Sequence, residues 1–260
     1  MNHPFAIVTG ASQGIGAAIA IELAQRGFSL LLIARSETKL LAVKNDLSKF
    51  QIQAFTLALD LTQPNAMSKI TEFIQENQIT PTVLVNNAGY GLWGTFENLP
   101  LSAQENMMHL NMVVPVKITH ALLPILKQQP QAYILNVAST AAYQAVPTLS
   151  IYAATKSFML VFSRGLRKEL ADSNVSVTTL SPGATKTGFM DRAGMKHPLL
   201  VKRANQFSMS MEAVAAFGVK SMLTKKNEVI PGWINKISVA MTYWVPKALT
   251  EKIAANLYKI

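Results

Sequence analysis

Phe5-Ala6-Ile7-Val8-Thr9-Gly10-Ala11-Ser12-Gln13-Gly14-Ile15-Gly16-Ala17-Ala18-Ile19-Ala20-Ile21-Glu22-Leu23-Ala24 is the stretch whose reading decides the fold. Its first residues form a short apolar run suited to a buried strand. A glycine-rich loop follows, and then an alanine- and isoleucine-rich run suited to a helix. Strand, glycine loop, helix is the order a dinucleotide site needs. Glycines let the backbone turn tightly and approach a pyrophosphate, while the first N–H groups of the helix present partial positive charge to the anion. The glycine spacing is G-x3-G-x-G, which departs from the G-x-G-x-x-G fingerprint. Taken alone, it leaves a purely structural turn as the alternative.

Working outward, Phe28–Ala34, Gln53–Leu59, Thr82–Asn86, Tyr133–Ala138, Val175–Leu180 and Val229–Ile230 read as further strands. Most are continuously apolar, as expected of parallel strands covered on both faces, and the segments between them are long enough for crossover helices. The pattern predicts an α/β fold: a doubly wound parallel sheet of about seven strands flanked by helices. At 260 residues, with half of them hydrophobic, the chain suits one domain over 1–260, and no repeat or low-complexity linker divides it.

Tyr152-Ala153-Ala154-Thr155-Lys156 carries the chemistry. Four residues are about one helical turn, so Tyr152 and Lys156 share a face. A tyrosine hydroxyl ionises near pH ~10, and exchanging a proton near neutrality requires a shift of about three units, or about 4 kcal/mol. A lysine ammonium within ~4–6 Å supplies part of that. An ordinary surface helix carrying an unrelated tyrosine and lysine is the bland alternative for the pair by itself.

Further motifs follow in order. Asn86-Asn87-Ala88-Gly89 closes an apolar strand, Asn111 lies in a helical stretch, Ser139 precedes Tyr152 by thirteen residues, and Pro182-Gly183 with Thr187 follows the next strand. With these, the chain resembles the short-chain dehydrogenase/reductase family over most of its length. Ala142 stands where a glycine often follows the serine segment, and Val114 where a small residue often follows the asparagine; neither change removes a reacting group.

The resemblance implies a Rossmann-type sheet, an enzyme that moves hydride between a nicotinamide and a ketone, aldehyde or secondary alcohol, and a catalytic set of Asn111, Ser139, Tyr152 and Lys156. Tyr152 would protonate the substrate oxygen, and Lys156 would lower the tyrosine pKa and hold the ribose. Ser139 would bond the substrate oxygen, and Asn111 would anchor a water leading to Lys156. Gly10, Ser12, Gln13, Gly14, Ile15 and Gly16 would cradle the cofactor. Asn87, Ala88 and Gly89 would form its wall, through backbone more than through the asparagine side chain. Pro182, Gly183, Thr185 and Thr187 would border the carboxamide, and Asp60 and Leu61 the adenine. By the same resemblance Ala34 occupies a position where NAD-using members often place Asp. Arg35, with Ser36 and Ser12, can instead meet a 2′-phosphate, so NADP(H) is the expected cofactor. A homodimer or homotetramer is the family's expectation. The rival from another class is a cofactor-binding regulatory or scaffold protein with little turnover, and the presence of all four catalytic positions weighs against it.

The formal charge of +10 is uneven: residues 1–183 hold 12 basic and 10 acidic side chains, and residues 184–260 hold 12 and 4. Lys186, Arg192, Lys196, Lys202 and Arg203 fall in 184–210, the expected substrate lid. They would attract an acyl-carrier prosthetic group, coenzyme A or an anionic membrane, or simply form a solvated face. The charges are dispersed and no nucleic-acid module accompanies them, which argues against nucleic acid. Cysteine is absent, so disulfides and thiolate chemistry are excluded. The four histidines, His3, His109, His120 and His197, lack metal-ligand spacing, and no metal is expected. The start has no basic leader and no run of about 18 uninterrupted apolar residues occurs, so a cytoplasmic protein is the expectation.

Trp93, Phe96 and Tyr143 could line an apolar substrate pocket, with ordinary packing an equal alternative, and Met190 and Met195 point the same way, while Met107, Met108 and Met112 suit core packing. Residues 231–260 form a C-terminal extension in which the apolar run Ile237–Val245 must pack on something. Its own core or a twin subunit is the leading expectation, with a membrane interface the alternative.

Overall fold

The computed structural model describes residues 3–195 and 208–258. Seven strands form one sheet: β1 (Phe5–Thr9), β2 (Ser29–Ala34), β3 (Ala54–Ala58), β4 (Pro81–Asn86), β5 (Ala132–Val137), β6 (Val175–Leu180) and β7 (Glu228–Val229). Their order is β3-β2-β1-β4-β5-β6-β7, and every pairing is parallel. The predicted strands are all present, with ends displaced by at most one residue.

Alternation along the strands sorts their side chains into two cores. Ala6, Val8, Leu30, Leu32, Val83 and Val85 point to the side covered by α1 (Gly14–Gln25), by α2 (Glu37–Leu47) and, in the C-terminal half, by Val214, Val219 and Met222. Ile7, Leu31, Ile33, Leu84, Ile134 and Val177 point the other way, onto Ile70 and Ile74 of α3 (Ala66–Glu76) and onto Ile118, Leu122 and Leu126. Burial of both faces is why these strands read as apolar runs rather than as alternating ones.

The latter three residues belong to a helical stretch from Leu101 to Lys127, formed by α4 (Leu101–Met108), a π-helical turn (His109–Val113) and α5 (Val114–Lys127). It is long and apolar enough to cross a membrane by length and composition. Its buried positions Ile118, Leu122 and Leu126 lie in the core against the sheet, which makes α5 a core helix of this fold. The long α6 (Ser150–Glu169) follows, then the short α7 (Phe189–Ala193), α8 (Met211–Leu223), α9 (Trp233–Trp244) and α10 (Lys247–Tyr258).

The chain direction across the sheet reverses between β1 and β4. At that point the loops leaving the two strands diverge to opposite sides and open a crevice at the strands' carboxyl ends, the place where ligands bind in open α/β sheets. Residues 196–207, which include Lys196, His197, Lys202 and Arg203 of the expected lid, lie outside the described residues.

Candidate active site

One wall of the crevice is the glycine loop, closed by atoms distant in sequence. Thr9, 1% exposed, donates its hydroxyl to Val85 O at 3.0 Å and accepts the N–H groups of Asn87 and Ala88 at 3.0 and 3.1 Å. Asn87 returns the tie, its Nδ2 donating to Thr9 O and Gly10 O at 3.0 and 3.2 Å. The Asn87 side chain therefore braces the loop, a larger part than the backbone-first expectation gave it. Gly16 is dictated by this closeness: a Cβ there would lie 2.3 Å from both Gly10 O and Asn87 Nδ2. Gly10, at φ +65°, adopts a backbone that other residues rarely accept.

Gln13 caps α1 without a side-chain bond to the helix's own N–H groups, and no acidic residue occupies the first turn, so the leading N–H groups stay available to an anion. This fits a nucleotide pyrophosphate. Across the cleft, Thr187 Cγ2 would stand 3.4 Å from a Cβ on Gly14. The Thr187 hydroxyl accepts from Phe189 N at 3.2 Å, and Thr185 donates to Gly183 O at 3.0 Å.

At the end of β2, Arg35 is exposed and Ser36 caps α2, accepting Lys39 N at 3.4 Å. Lys39 Nζ reaches back to Gln13 Oε1 at 2.9 Å, which adds a second cation beside Arg35 that the sequence reading did not single out. Asp60 Oδ1 accepts from Thr62 N and Thr62 Oγ1 at 3.0 and 2.8 Å. Burial pushes its carboxyl pKa upward, but these two bonds and the charge of Arg35 outweigh it and hold the pKa below its ordinary value. Leu61 is 5% exposed and packs with Ile33 and Ala66 in the core. With its side chain in the core, it can offer a nucleotide main-chain atoms.

Tyr152 and Lys156 lie one turn apart on α6, 9% and 7% exposed. The Lys156 ammonium is 5.9 Å from the Tyr152 ring centroid and donates to Val137 O at 2.9 Å. Burial lowers its pKa to about 8. Ser139 follows β5, and its hydroxyl oxygen accepts from Ala141 N at 3.1 Å.

Asn111 sits in the π-helical turn and is 2% exposed. Its Oδ1 accepts from Tyr90 N at 3.2 Å, and its Nδ2 donates to Tyr90 O and Thr155 Oγ1 at 2.9 and 3.0 Å. Thr155 in turn donates to Tyr152 O at 2.8 Å. Asn111 thus ties the segment after Gly89 to the helix that carries the tyrosine. A cavity of about 10 Å³, lined by Asn111, Lys156, Thr9 and Asn86 among others, lies between them. Asn86 Oδ1, which has no hydrogen-bond partner among the described residues, belongs to a residue of that lining. Asn86 Nδ2 bonds Asn136 and Thr119 at 2.8 and 3.0 Å, and Asn136 bonds Ser163 at 2.8 Å, a buried polar ladder not visible in the sequence.

The wall beside Tyr152 is apolar: Met107, Val146, Leu149, Trp93 and Phe189, whose ring centroid is 5.3 Å from that of Tyr152. Two residues expected at a pocket sit elsewhere. Phe96 is 64% exposed. Tyr143 donates to Glu228 Oε1 at 2.7 Å and lies 3.1 Å from Ser181 Oγ, while Arg164 holds Glu228 through both carboxylate oxygens at 2.9 and 3.1 Å. Tyr143 thus ties the turn after Ser139 to β7, and Arg164 ties β7 to α6. Asn235 is a neighbour the sequence reading left without a role here: a Cβ on Gly183 would lie 2.3 Å from its Oδ1, and its Nδ2 donates to Pro231 O at 2.8 Å.

This geometry has relatives. A family model described as short chain dehydrogenase matches residues 4–197. The very-long-chain 3-oxoacyl-CoA reductase of Mus musculus is 31% identical over 240 residues, covering 88% of this chain and 76% of that protein. The ketoacyl reductase HetN of Nostoc sp. is 28% identical over 225 residues, covering 86% and 77%. Among solved structures, a short-chain dehydrogenase from Sphingobium yanoikuyae in complex with NADPH superposes with a TM-score of 0.81 at 28% identity, covering 99% of this chain and 96% of that one. An alcohol dehydrogenase from Thermococcus sibiricus complexed with 5-hydroxy-NADP gives 0.76 at 27%, covering 88% and 96%.

Proposed function

The chain belongs to the short-chain dehydrogenase family, and from that premise we propose that this oxidoreductase is an NADP(H)-dependent reductase of a ketone carried on an acyl chain or another apolar scaffold. The observation that carries the reading is the buried Tyr152–Lys156 pair set against an apolar wall of Met107, Trp93 and Phe189. An apolar substrate is favoured there because the wall excludes water and offers little to a polar one. Relatives named as 3-oxoacyl-CoA and ketoacyl reductases support an acyl-linked carbonyl. Arg35, with Lys39 close by, supports a 2′-phosphate on the nucleotide, because cations complement that anion, whereas the uncharged 2′-hydroxyl of NAD(H) calls for a carboxylate acceptor that Ala34 does not supply.

Gly10, Gly14, Gly16 and the head of α1 would hold the pyrophosphate, Arg35, Ser36 and Lys39 the 2′-phosphate, and Lys156 the nicotinamide ribose. When bound, the reduced nicotinamide supplies hydride to the substrate carbonyl carbon. Tyr152 donates its proton to the substrate oxygen as negative charge develops there, and Ser139 donates a hydrogen bond to the same oxygen. Lys156, buried and positively charged at neutral pH, favours the tyrosinate left behind. The cavity between Asn111 and Lys156 is at the lower limit for one water. Asn86 Oδ1 offers that water an acceptor, and through it a proton can return to Tyr152. Phe189 and the residues of 184–195 would act as part of a substrate lid. Val113, Phe158 and Val161, apolar and exposed at the end of the π-helical turn and on α6, suit pairing of two copies.

The test is a panel of carbonyl compounds, 3-oxoacyl thioesters included, followed by nicotinamide absorbance. Wild type turns over at least one, and Tyr152→Phe loses about a thousandfold in kcat while keeping nucleotide affinity. Nucleotide binding with no turnover across the panel would replace this reading with that of a scaffold protein.

A further inference from the structure

The C-terminal extension packs only part of its apolar surface on the protein itself, Val239 and Ala254 being buried, so the first of the expectations for it holds in part. On α9, Trp233, Ile234, Ile237, Met241 and Trp244 fall within one arc of the helix, and all are exposed, Trp233 by 71% and Trp244 by 86%. Leu249 and Ile253, one turn apart on α10, are exposed as well. The opposite side of α9 is the one that holds it in place: Val239 is buried, Asn235 rests against Gly183, and the Tyr243 ring meets Tyr143 at 6.4 Å. The helix is therefore fixed to the body by one face and presents the other, which is wholly apolar, outward.

The surroundings are cationic. Lys225, Lys226, Lys236, Lys247 and Lys252 lie in this region, against Glu228 and Glu251, and Glu228 is already engaged by Arg164. A cavity of about 340 Å³ opens beside α9, lined by Phe217, Lys226, Glu228, Val229, Ile230 and Lys236. Its lining brings Lys226 together with Lys236 of α9, where a phosphate group could be met.

From these observations we propose that α9 and α10 seat the protein on an anionic lipid surface, the apolar stripe entering the interface and the lysines meeting lipid phosphates. Tryptophan and lysine around an exposed apolar helix face is the composition of interfacial helices. Charge decides between this occupant and a second copy of the chain. A two-fold pairing through the same face would bring like lysines together around the contact, whereas an anionic surface complements them. The seat is coupled to the site, since Asn235 on α9 rests on the Pro182-Gly183 loop, so an apolar substrate dissolved in lipid would be met beside the cleft.

The experiment is co-sedimentation of the full chain with vesicles of phosphatidylcholine alone and with about 30 mol% phosphatidylglycerol, with tryptophan emission as a second readout. Two of the three tryptophans are on the stripe, so emission should shift to shorter wavelength on binding. Wild type should bind the anionic vesicles about tenfold more tightly than the neutral ones, less so at high salt. The double variant Ile237→Glu with Trp244→Glu should lose that binding about tenfold or more while its melting and nucleotide affinity stay unchanged. Vesicle binding that is absent, indifferent to lipid charge, or equal in the variant would overturn the proposal. So would a wild-type dimer that the variant dissociates without any vesicle binding, which would assign the face to a second copy. None of these readouts uses turnover, so they stand or fall apart from the proposed reaction.

Discussion

The glycine loop at the head of α1 and the outer face of α9 are both poor in polar side chains, yet one is closed and the other open. Around Gly16 every direction is filled, by Gly10 and by Asn87 arriving from 71 positions further along the chain. Around Trp244 the described residues leave the space open, and the side chain stands 86% exposed. Closure marks where the chain defines its own geometry to within tenths of an ångström. Openness marks where something outside the chain completes it.

The sharpest way to break this contrast is to overfill the closed side. Gly16→Val puts a branched side chain where Gly10 O and Asn87 Nδ2 already stand at 2.3 Å from the Cβ position. Stability should fall by about 3 kcal/mol and nucleotide affinity by a hundredfold or more. Gly165→Ala on α6, whose Cβ would meet nothing within 4 Å, is the control and should gain about 0.5–1 kcal/mol from helix propensity. Equal melting of the two would show that the loop has slack.

Next in size is charge at the mouth of the same cleft. Arg35→Asp should move the ratio of kcat/KM for NADPH over NADH toward NADH by about ten- to a hundredfold, or about 1.5–3 kcal/mol. An unchanged ratio would remove Arg35 from cofactor choice and leave Lys39 as the remaining cation there.

Smaller still is the strain held at Lys156. Its pKa of about 8 in the folded protein lies below the 10.5 of the free group, so the unfolded chain holds the proton more tightly. The resulting destabilisation is fully present below pH 8 and disappears as pH rises toward 10.5. Lys156→Met, which forfeits the bond to Val137 O, should still stabilise the ligand-free protein by about 1–2 kcal/mol at pH 7, and by much less near pH 10. Melting curves at the two pH values measure it, and a gain that does not shrink with pH would mean that packing, not charge, is responsible.

What the sequence could say follows the same division. Apolar runs revealed the strands because burial on both faces leaves no alternation to misread, and the order of the motifs placed Asn111, Ser139, Tyr152 and Lys156 at one end of the sheet. Polar residues whose partners are far apart gave no such signal. Thr9 acts on residues 76 and more positions away, and Asn86 bonds an asparagine 50 away across a strand pair. Lys39 is read as a solvated helix residue until its reach to Gln13 is seen. Tyr143 stays open between pocket and packing because an aromatic after the serine segment suits either, and Glu228, its partner, lies 85 residues on. Periodicity could announce that α9 has an apolar face but not whether that face would be met by the protein itself.

The surplus residue in the turn His109–Val113 has a consequence for how this framework can change over evolutionary time. A regular helix locks all its faces into one phase, so that moving one side chain rotates every other. Here Met107 upstream faces the wall beside Tyr152, while Ile118, Leu122 and Leu126 downstream face the sheet, and the wide turn between them works as a clutch. Pocket width and sheet registration can then drift separately, and one scaffold can be refitted to new guests without being rebuilt.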